Sequence, residues 1–491
     1  MSGRAVVVGA GVNGLVAAVR LARSGMAVHV VEARERPGGL AAAVEFAPGY
    51  RAPGILHDAS GFRPALARAL GLASCGLAWA ERPAVGGLRE LLAGDETTRG
   101  LARFVDRVAP ALRRLLDRPP PPLQPSGLGE LWGLATQGLV LRRLGARDLR
   151  ELLRVLAMPA GDWLGDLGVE AGRAEGLAGS ALVGSFHGPR SPGSAAFLLL
   201  RAAAEGRAPV GGAPALVEAL LRRCGELGVE VSTGHRVAAV LVEGGRVAGV
   251  ATADGDRLAA DAVLATCDPR HALLTLLPGG SLGIETTRRV EGWRCRGTAA
   301  KVHLALARPL RDAGEPAPSV RLGGGSLEAL ERAFDAAKYG EMSEEPFLEV
   351  VQPSVREPGW APEGRHVASV LVGWAPRALR EGWDAAAGER LLERVLDRLE
   401  RHDPGIRDGV VAADVWTPRD LEERLGLTGG HLRHGEEGLD QLLFMRPAPE
   451  LARYATPVPG YFLGGSGSHP GGGITGVPGW LAAGAVLRYE G

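Results

Sequence analysis

Val6-Val7-Val8-Gly9-Ala10-Gly11-Val12-Asn13-Gly14-Leu15 is the stretch that decides the fold. A β-branched run ends in a Gly-x-Gly-x-x-Gly turn, and residues 16–24 continue with the apolar spacing of a helix, so the reading is strand, turn, helix. Gly9 allows the tight turn, Gly11 lets backbone approach a pyrophosphate, and Gly14 lets helix and strand pack closely. Ala10, Val12 and Asn13 fall in the same turn, whose unpaired N–H groups at the helix start point at phosphate. A second strand, residues 27–31, ends at Glu32, 18 residues beyond Gly14, in register for an acid that accepts from ribose hydroxyls, with Ala33 after it. Together these predict a Rossmann-type dinucleotide site.

Just beyond the acid, Arg34-Glu35-Arg36-Pro37-Gly38-Gly39-Leu40 adds a glycine pair between arginines that can neutralise phosphate. This resembles the motif of flavoproteins of the glutathione-reductase and amine-oxidase type, which implies FAD rather than a nicotinamide. In such proteins the following segment runs beneath the isoalloxazine ring. His57 and Asp58 are then candidates for the flavin neighbourhood, or else a loop pair in which Asp58 caps the next helix.

At 491 residues the chain is too long for one core. Its formal charge of +0 gives no reason to expect a nucleic-acid partner. The four cysteines are far apart and form no C-x-x-C pair, against a thiolate metal site or a disulfide redox centre. The first strand starts within a few residues of Met1 with no leader before it, and no apolar run reaches the ~18 residues that span a bilayer, so the expectation is a cytoplasmic protein. Peripheral membrane contact through an apolar entrance stays open.

Five segments are expected. Residues 1–76 form the first part of the FAD-binding domain and residues 77–207 a helical part of a substrate domain. Residues 208–290 return to the FAD domain with a helix and a β-meander, 291–410 supply the sheet of the substrate domain, and 411–491 complete the FAD domain. Within the helical part, residues 101–116 are amphipathic and a Pro run at 118–125 reads as a stiff connector. Residues 128–156 read as helix broken at Gly145, whose apolar side chains Leu131, Trp132, Leu134, Leu139, Leu152, Val155 and Leu156 should cover something. The residues after Leu77 and before Gly211 look shorter than the family pattern.

Lys301 stands out. The chain has only two lysines, Lys301 and Lys338, so a Lys inside the alternating strand 298–306 either serves as a compact ammonium with a movable pKa or packs its stem at a strand edge. That strand resembles one in flavin amine oxidases in which a Lys holds a water against flavin N5. At the other end of the chain, Gly464-Gly465-Ser466-Gly467-Ser468-His469-Pro470-Gly471-Gly472-Gly473-Ile474-Thr475-Gly476 leads into a helix. Its N–H groups suit the ribityl chain and the pyrimidine end of a flavin.

That run, with Gly429-Gly430-His431-Leu432-Arg433-His434-Gly435-Glu436 and Arg446-Pro447, resembles the phytoene-desaturase-like flavoproteins. The branch is that of the FAD-type β-carotene ketolases and the pyridine-nucleotide-disulfide-oxidoreductase-domain protein. The resemblance implies an α/β, glutathione-reductase/amine-oxidase-like two-domain fold: a Rossmann-type FAD domain with an inserted α+β substrate domain. It implies an adenine contact at Val237 and flavin contacts at Gly465, Ser466, Gly472, Gly473, Ile474 and Thr475, and the absence of an H-E-x-x-H motif leaves no metal expected. Where many flavoproteins place an acid for the ribityl hydroxyls, this chain has Gly465-Ser466.

The implied activity is FAD-dependent hydride transfer from a hydrophobic polyene or isoprenoid, with oxygen or a quinone as acceptor. Lys301, His57 and His469 are the candidate proton handlers. An amine-oxidase-type enzyme, which would show an aromatic cage, and a non-catalytic FAD-containing scaffold are the alternatives.

Overall fold

The computed structural model describes residues 3–81, 92, 98–122, 125 and 127–490. Leu123 and Gln124 of the Pro run, and most of residues 82–97, lie outside the described residues. The valines of Arg4–Val8 form the middle strand of a five-stranded sheet in the order Tyr461–Leu463, Ala262–Ala265, Arg4–Val8, Ala27–Val31, Glu230–Ser232. Every neighbouring pair is parallel. Three remote stretches of chain therefore meet in one sheet, which both faces must cover to bury its apolar runs.

Val12–Arg23 packs on that sheet with Leu15, Val16, Val19 and Leu21 fully buried, and Gly212–Glu226 and Val477–Glu490 pack beside it. A side-chain carbon built on Gly14 would sit 2.0 Å from the Gly9 carbonyl oxygen, and one on Gly479 would sit 1.9 Å from that of Asn13. Only glycine lets these backbones approach so closely. An antiparallel meander, Val237–Glu243, Arg246–Thr252 and Arg257–Ala259, flanks the sheet.

The second sheet is antiparallel, in the order Ser319–Leu322, Leu348–Val351, His366–Gly373, Ala299–Leu306, Val410–Trp416. Its last member corrects the expected boundary at 411, which falls inside a strand hydrogen-bonded to Ala299–Leu306. The run Val-Val-Ala-Ala-Asp-Val-Trp alternates too weakly to announce itself as strand. The segment leading to His57 contains the strand Tyr50–Ala52, paired with Val44–Ala47. All eight residues of Ala299–Leu306 are buried rather than every second one. Ala300, Val302, Leu304 and Leu306 enter a core beneath the helix Ala385–His402, while Lys301 and His303 face the opposite side.

On that opposite side lie the helices Arg99–Leu116, Gly145–Ala157, Ala171–Leu182 and Ser194–Ala204, joined by a core that includes Val105, Leu152, Val155, Leu177 and Leu198. The expected break at Gly145 separates two helices, with Gly145 at φ +77°. The first of them, Leu128–Arg142, departs from expectation because it buries no side chain. Leu131, Trp132 and Leu139 are 50%, 73% and 44% exposed. The helix is held by Leu141, which packs half-buried against the helical core, and by polar contacts, among them Gln137 Nε2 donating to the Pro119 carbonyl and Glu130 paired with Arg453.

Candidate active site

Two cavities meet between the sheets. The larger, about 460 Å³, follows the first strand-turn-helix and is lined by Gly9, Gly11, Val12, Asn13, Glu32, Ala33, Arg34, Gly38, Gly39, Leu40, Val237, Ser466, Gly473 and Ile474, all read from the sequence. The smaller, about 160 Å³, contains His57, Asp58, Gly472 and Thr475. Leu56, Gly473 and Ile474 belong to both walls, so the two spaces adjoin at that turn. A side-chain carbon on Gly473 would meet nothing within 4 Å, which leaves its backbone open toward a ligand.

Four expected cofactor residues line neither cavity. Ala10 acts from behind, its N–H donating to Glu32 Oε2 at 2.7 Å, while Arg34 N–H donates to Oε1 at 3.1 Å. Those bonds hold the carboxylate at the cavity edge. Gly14 packs against Gly9, and Gly465 against Thr266, where a side-chain carbon would lie 2.3 Å from the carbonyl oxygen. Arg36 is exposed. Asp58 accepts from the Ser60 N–H at 2.9 Å, and the helix Pro64–Leu70 has Arg63 at its N-cap, so Asp58 caps a turn and not that helix.

His57 and Lys301 come together. Lys301 is fully buried and lines neither cavity, and its Nζ lies 2.6 Å from His57 Nδ1. The other ring nitrogen of His57, Nε2, is 3.3 Å from Glu349 Oε1. Glu349 Oε2 accepts from Ser180 Oγ at 3.2 Å and from Arg201 at 3.4 Å, with Arg321 at 3.8 Å. Burial pushes Lys301 down to about 7, partly opposed by Glu349. Burial also lowers His57, and the Lys301 charge adds to that. Burial works against the Glu349 carboxylate, but Arg201, His57 and Arg321 outweigh it and hold the group well below the usual carboxylate range.

His469 has a different job. It lines neither cavity, and its Nε2 donates to the Arg118 carbonyl at 2.9 Å. Burial lowers it to about 4, so the ring is neutral and committed to backbone. This corrects its place among the proton handlers.

The sequence reading missed Glu349 and Arg201 on the smaller cavity. Each is a lone charge in an apolar element, Leu348–Val351 and Ser194–Ala204, the same anomaly that marked Lys301. It also missed Asp268, which lines the larger cavity and accepts from Thr428 Oγ1 at 2.7 Å. The C-terminal motif is pinned by buried Arg446, which donates to the carbonyls of Arg433, Glu436, Gln441 and Ser466 at 2.9, 2.7, 3.2 and 2.7 Å. Glu437 of that motif accepts from the Gly472 N–H at 2.8 Å and so fixes the glycine turn between the cavities.

A family model for flavin-containing amine oxidoreductases matches residues 142–487, and one for an NAD(P)-binding Rossmann-like domain matches residues 7–66. The chain belongs to the flavin-containing amine oxidoreductases. Within them it is phytoene-desaturase-like. It is 32% identical to pyridine nucleotide-disulfide oxidoreductase domain-containing protein 2 of Rattus norvegicus, over 99% of this chain and 93% of that protein. It is 29% identical to hydroxyneurosporene desaturase of Cereibacter sphaeroides, over 99% and 97% of the two chains. In fold it is similar to cyclohexylamine oxidase from Brevibacterium oxydans, with TM-score 0.58 at 14% identity, over all of both chains.

The protein is an FAD-dependent oxidoreductase with the two-domain α/β flavoprotein fold. The residues present fit FAD: a glycine-lined cleft with a fixed carboxylate at one edge, continuous with a second chamber at an open glycine turn. Among the described residues, no helix is long and apolar enough to cross a membrane, and no cluster of His, Cys, Asp or Glu is suited to a metal.

Proposed function

We propose that this enzyme dehydrogenates or isomerises a hydrophobic small molecule of the polyene or isoprenoid class. The observation that carries the reading is the junction at Gly473 and Ile474, which opens the long glycine-lined cleft onto a separate chamber. Gly9, Gly11 and the N-terminus of Val12–Arg23 would hold the pyrophosphate, Glu32 the ribose, backbone beside Val237 the adenine, and Gly472–Thr475 the ring. Bound FAD supplies hydride acceptance at N5. Ile55, Leu116, Val183, Phe197, Leu371 and Leu442 give the chamber its apolar wall, and His57 its proton-handling group. The carotenoid enzymes among the relatives support this substrate class.

The amine-oxidase alternative has less support, because Phe197 is the one aromatic among the described residues lining the chamber, where an amine cage would need more. The exposed apolar patch on Leu128–Arg142 suits a lipid surface: Leu128, Leu131, Trp132 and Leu139 stand in solvent, with exposed Arg142 beside them to meet anionic headgroups. Sedimentation with anionic phosphatidylglycerol vesicles should be lost in a W132S/L139S double variant. Equal sedimentation of both proteins rejects that contact.

The test of function is anaerobic visible spectroscopy of the purified flavoprotein. Bleaching of the flavin bands by added polyenes or isoprenoid precursors, and their return in air or with a quinone, is the expected result. A flavin that bleaches with amines alone would move the enzyme to the amine-oxidase reading, and one that no donor bleaches would leave a binding role.

A further inference from the structure

Lys301 sits in a place where an ammonium needs a reason. It is enclosed, it faces neither cavity, and its only hydrogen-bond partner among the described residues is a ring that does line the chamber. The geometry points to a proton relay in which Lys301 exchanges its proton with the chamber through His57 and Glu349. This deepens the proposed function and rests on the smaller cavity being the reaction chamber.

The hydrogen bonds define the relay's resting state. A Lys301 ammonium donates to Nδ1, which must then be unprotonated, so the neutral ring carries its proton on Nε2 and donates it to Glu349 Oε1. Discharge breaks Nζ–H as Nδ1–H forms, and breaks Nε2–H as Oε1–H forms. Lys301 is left as an amine and His57 in its other neutral tautomer, while Glu349, whose neighbouring Arg201 and Arg321 favour the carboxylate, carries the proton only in passage to the chamber. Once Glu349 has given its proton to the chamber and is a carboxylate again, the chain runs backwards from the amine state: a proton leaving a substrate carbon onto Glu349 passes to Nε2 while the Nδ1 proton moves onto Nζ. Bound FAD would supply the acceptor for the two electrons of the second C–H bond, and the relay residues themselves only move the proton.

The surroundings keep this proton in the relay. His303 flanks Lys301 on its own strand. Burial, with the nearby Lys301 charge, holds it neutral, and its Nδ1 is 3.1 Å from Ser369 Oγ. Asp414 and Trp416 lie opposite on the neighbouring strand, Trp416 in register with Lys301. Arg201, Arg321 and Ser180 hold Glu349, and Asp58 lies 3.9 Å from Arg201 on the chamber side. A base whose affinity for its proton lies near neutrality is the kind that can both take and return it during turnover.

The two-lysine composition makes the test direct. In a K338R variant labelled with [13C]lysine, the one Lys Cε resonance reports Lys301. The expected result is titration with a midpoint near 7. E349Q should move that midpoint down, because Glu349 raises it, and K301M should move the His57 ring titration up, because the Lys301 charge lowers it. A Lys301 resonance that titrates as an ordinary lysine, or a His57 titration unmoved in K301M, overturns the relay. Polyene bleaching is read separately: its failure would sink the chamber reading and leave the proton pair standing.

Discussion

At the Gly9–Gly14 end the chain makes room for its cofactor by taking side chains away, and what remains is backbone packed so closely that a single added carbon collides. At the His57 end it does the reverse and gathers ionisable groups that neutralise one another: His57, Glu349, Arg201 and Asp58 on the wall, with Lys301 and Arg321 behind it. The first region is local, one turn of about six residues. The second is assembled from a loop, a helix and three strands that lie far apart in the chain. A site made by omission should fail through sterics, and a site made of balanced charge should fail when one member is left alone.

The largest expected effect follows from that asymmetry. Glu349→Ala leaves His57, Arg201 and Arg321 facing one another without their anion in a fully buried place. Breaking one partner out of a buried ionic cluster costs about 4 kcal/mol. Urea midpoints should fall accordingly, while any protein that folds still takes up FAD, since Glu349 does not line the larger cavity. Loss of flavin with unchanged stability would break the comparison.

Gly14→Ala is the counterpart. Its methyl would lie 2.0 Å from the Gly9 carbonyl, so strand and helix must separate. Overpacking of this kind costs about 3 kcal/mol, and here the displaced turn is the one that would hold the pyrophosphate. The variant should purify without the visible flavin bands and take none up from added FAD. A yellow Gly14→Ala protein would show that the cleft is less tightly specified than its contacts imply.

These two regions were also unequally legible. The dinucleotide turn could be read directly, because Gly-x-Gly-x-x-Gly, its flanking strands and Glu32 lie within one short stretch whose periodicity and spacing are local facts. Lys301 and His57 could be singled out as odd residues, but nothing in the sequence says that strand Leu348–Val351 puts a carboxylate between them and Arg201, since sheet order is a long-range outcome. The strand Val410–Trp416 was missed for a related reason. Its alternation is weak, and pairing with Ala299–Leu306 supplies the order that its own pattern lacks. His469 was misplaced because a conspicuous motif drew in a ring that serves backbone.

A smaller effect separates the regions by pH. Lys301 has a folded pKa lowered to about 7 from 10.5, so above pH 7 the unfolded chain binds a proton at this residue that the folded chain does not. Its contribution to stability therefore rises with pH from about 7, by at most about 1.4 kcal/mol per pH unit for one proton. The thiols of Cys224, Cys267 and Cys295 act oppositely: burial raises each from 9.0, Cys224 and Cys295 to about 12, so stability falls as pH climbs past 9.0. Between pH 7 and 9 the lysine acts without them. Denaturant midpoints of wild type should rise through that window and those of Lys301→Met should stay flat, and parallel curves would mean that Lys301 does not change its charge there.

The smallest expected effect lies on the cleft wall that is not glycine. Thr428 Oγ1 donates to Asp268 Oδ2, whose Oδ1 also accepts from the Arg270 and His271 N–H groups. Thr428→Val removes one of those donors and keeps the shape of the side chain, at a cost of about 1.5 kcal/mol for one hydrogen bond to a charged group. Because two backbone donors still hold Asp268, the carboxylate should stay in place and the dissociation constant for FAD should rise by less than about tenfold. Asp268, like Arg236 beside the strand Val237–Glu243, is a charge on the cleft side that comes from chain remote from the glycine turn. A Thr428→Val protein that loses FAD altogether would mean that the cleft, like the chamber, depends on a charge fixed by distant chain, and the division between the two regions would then fall elsewhere.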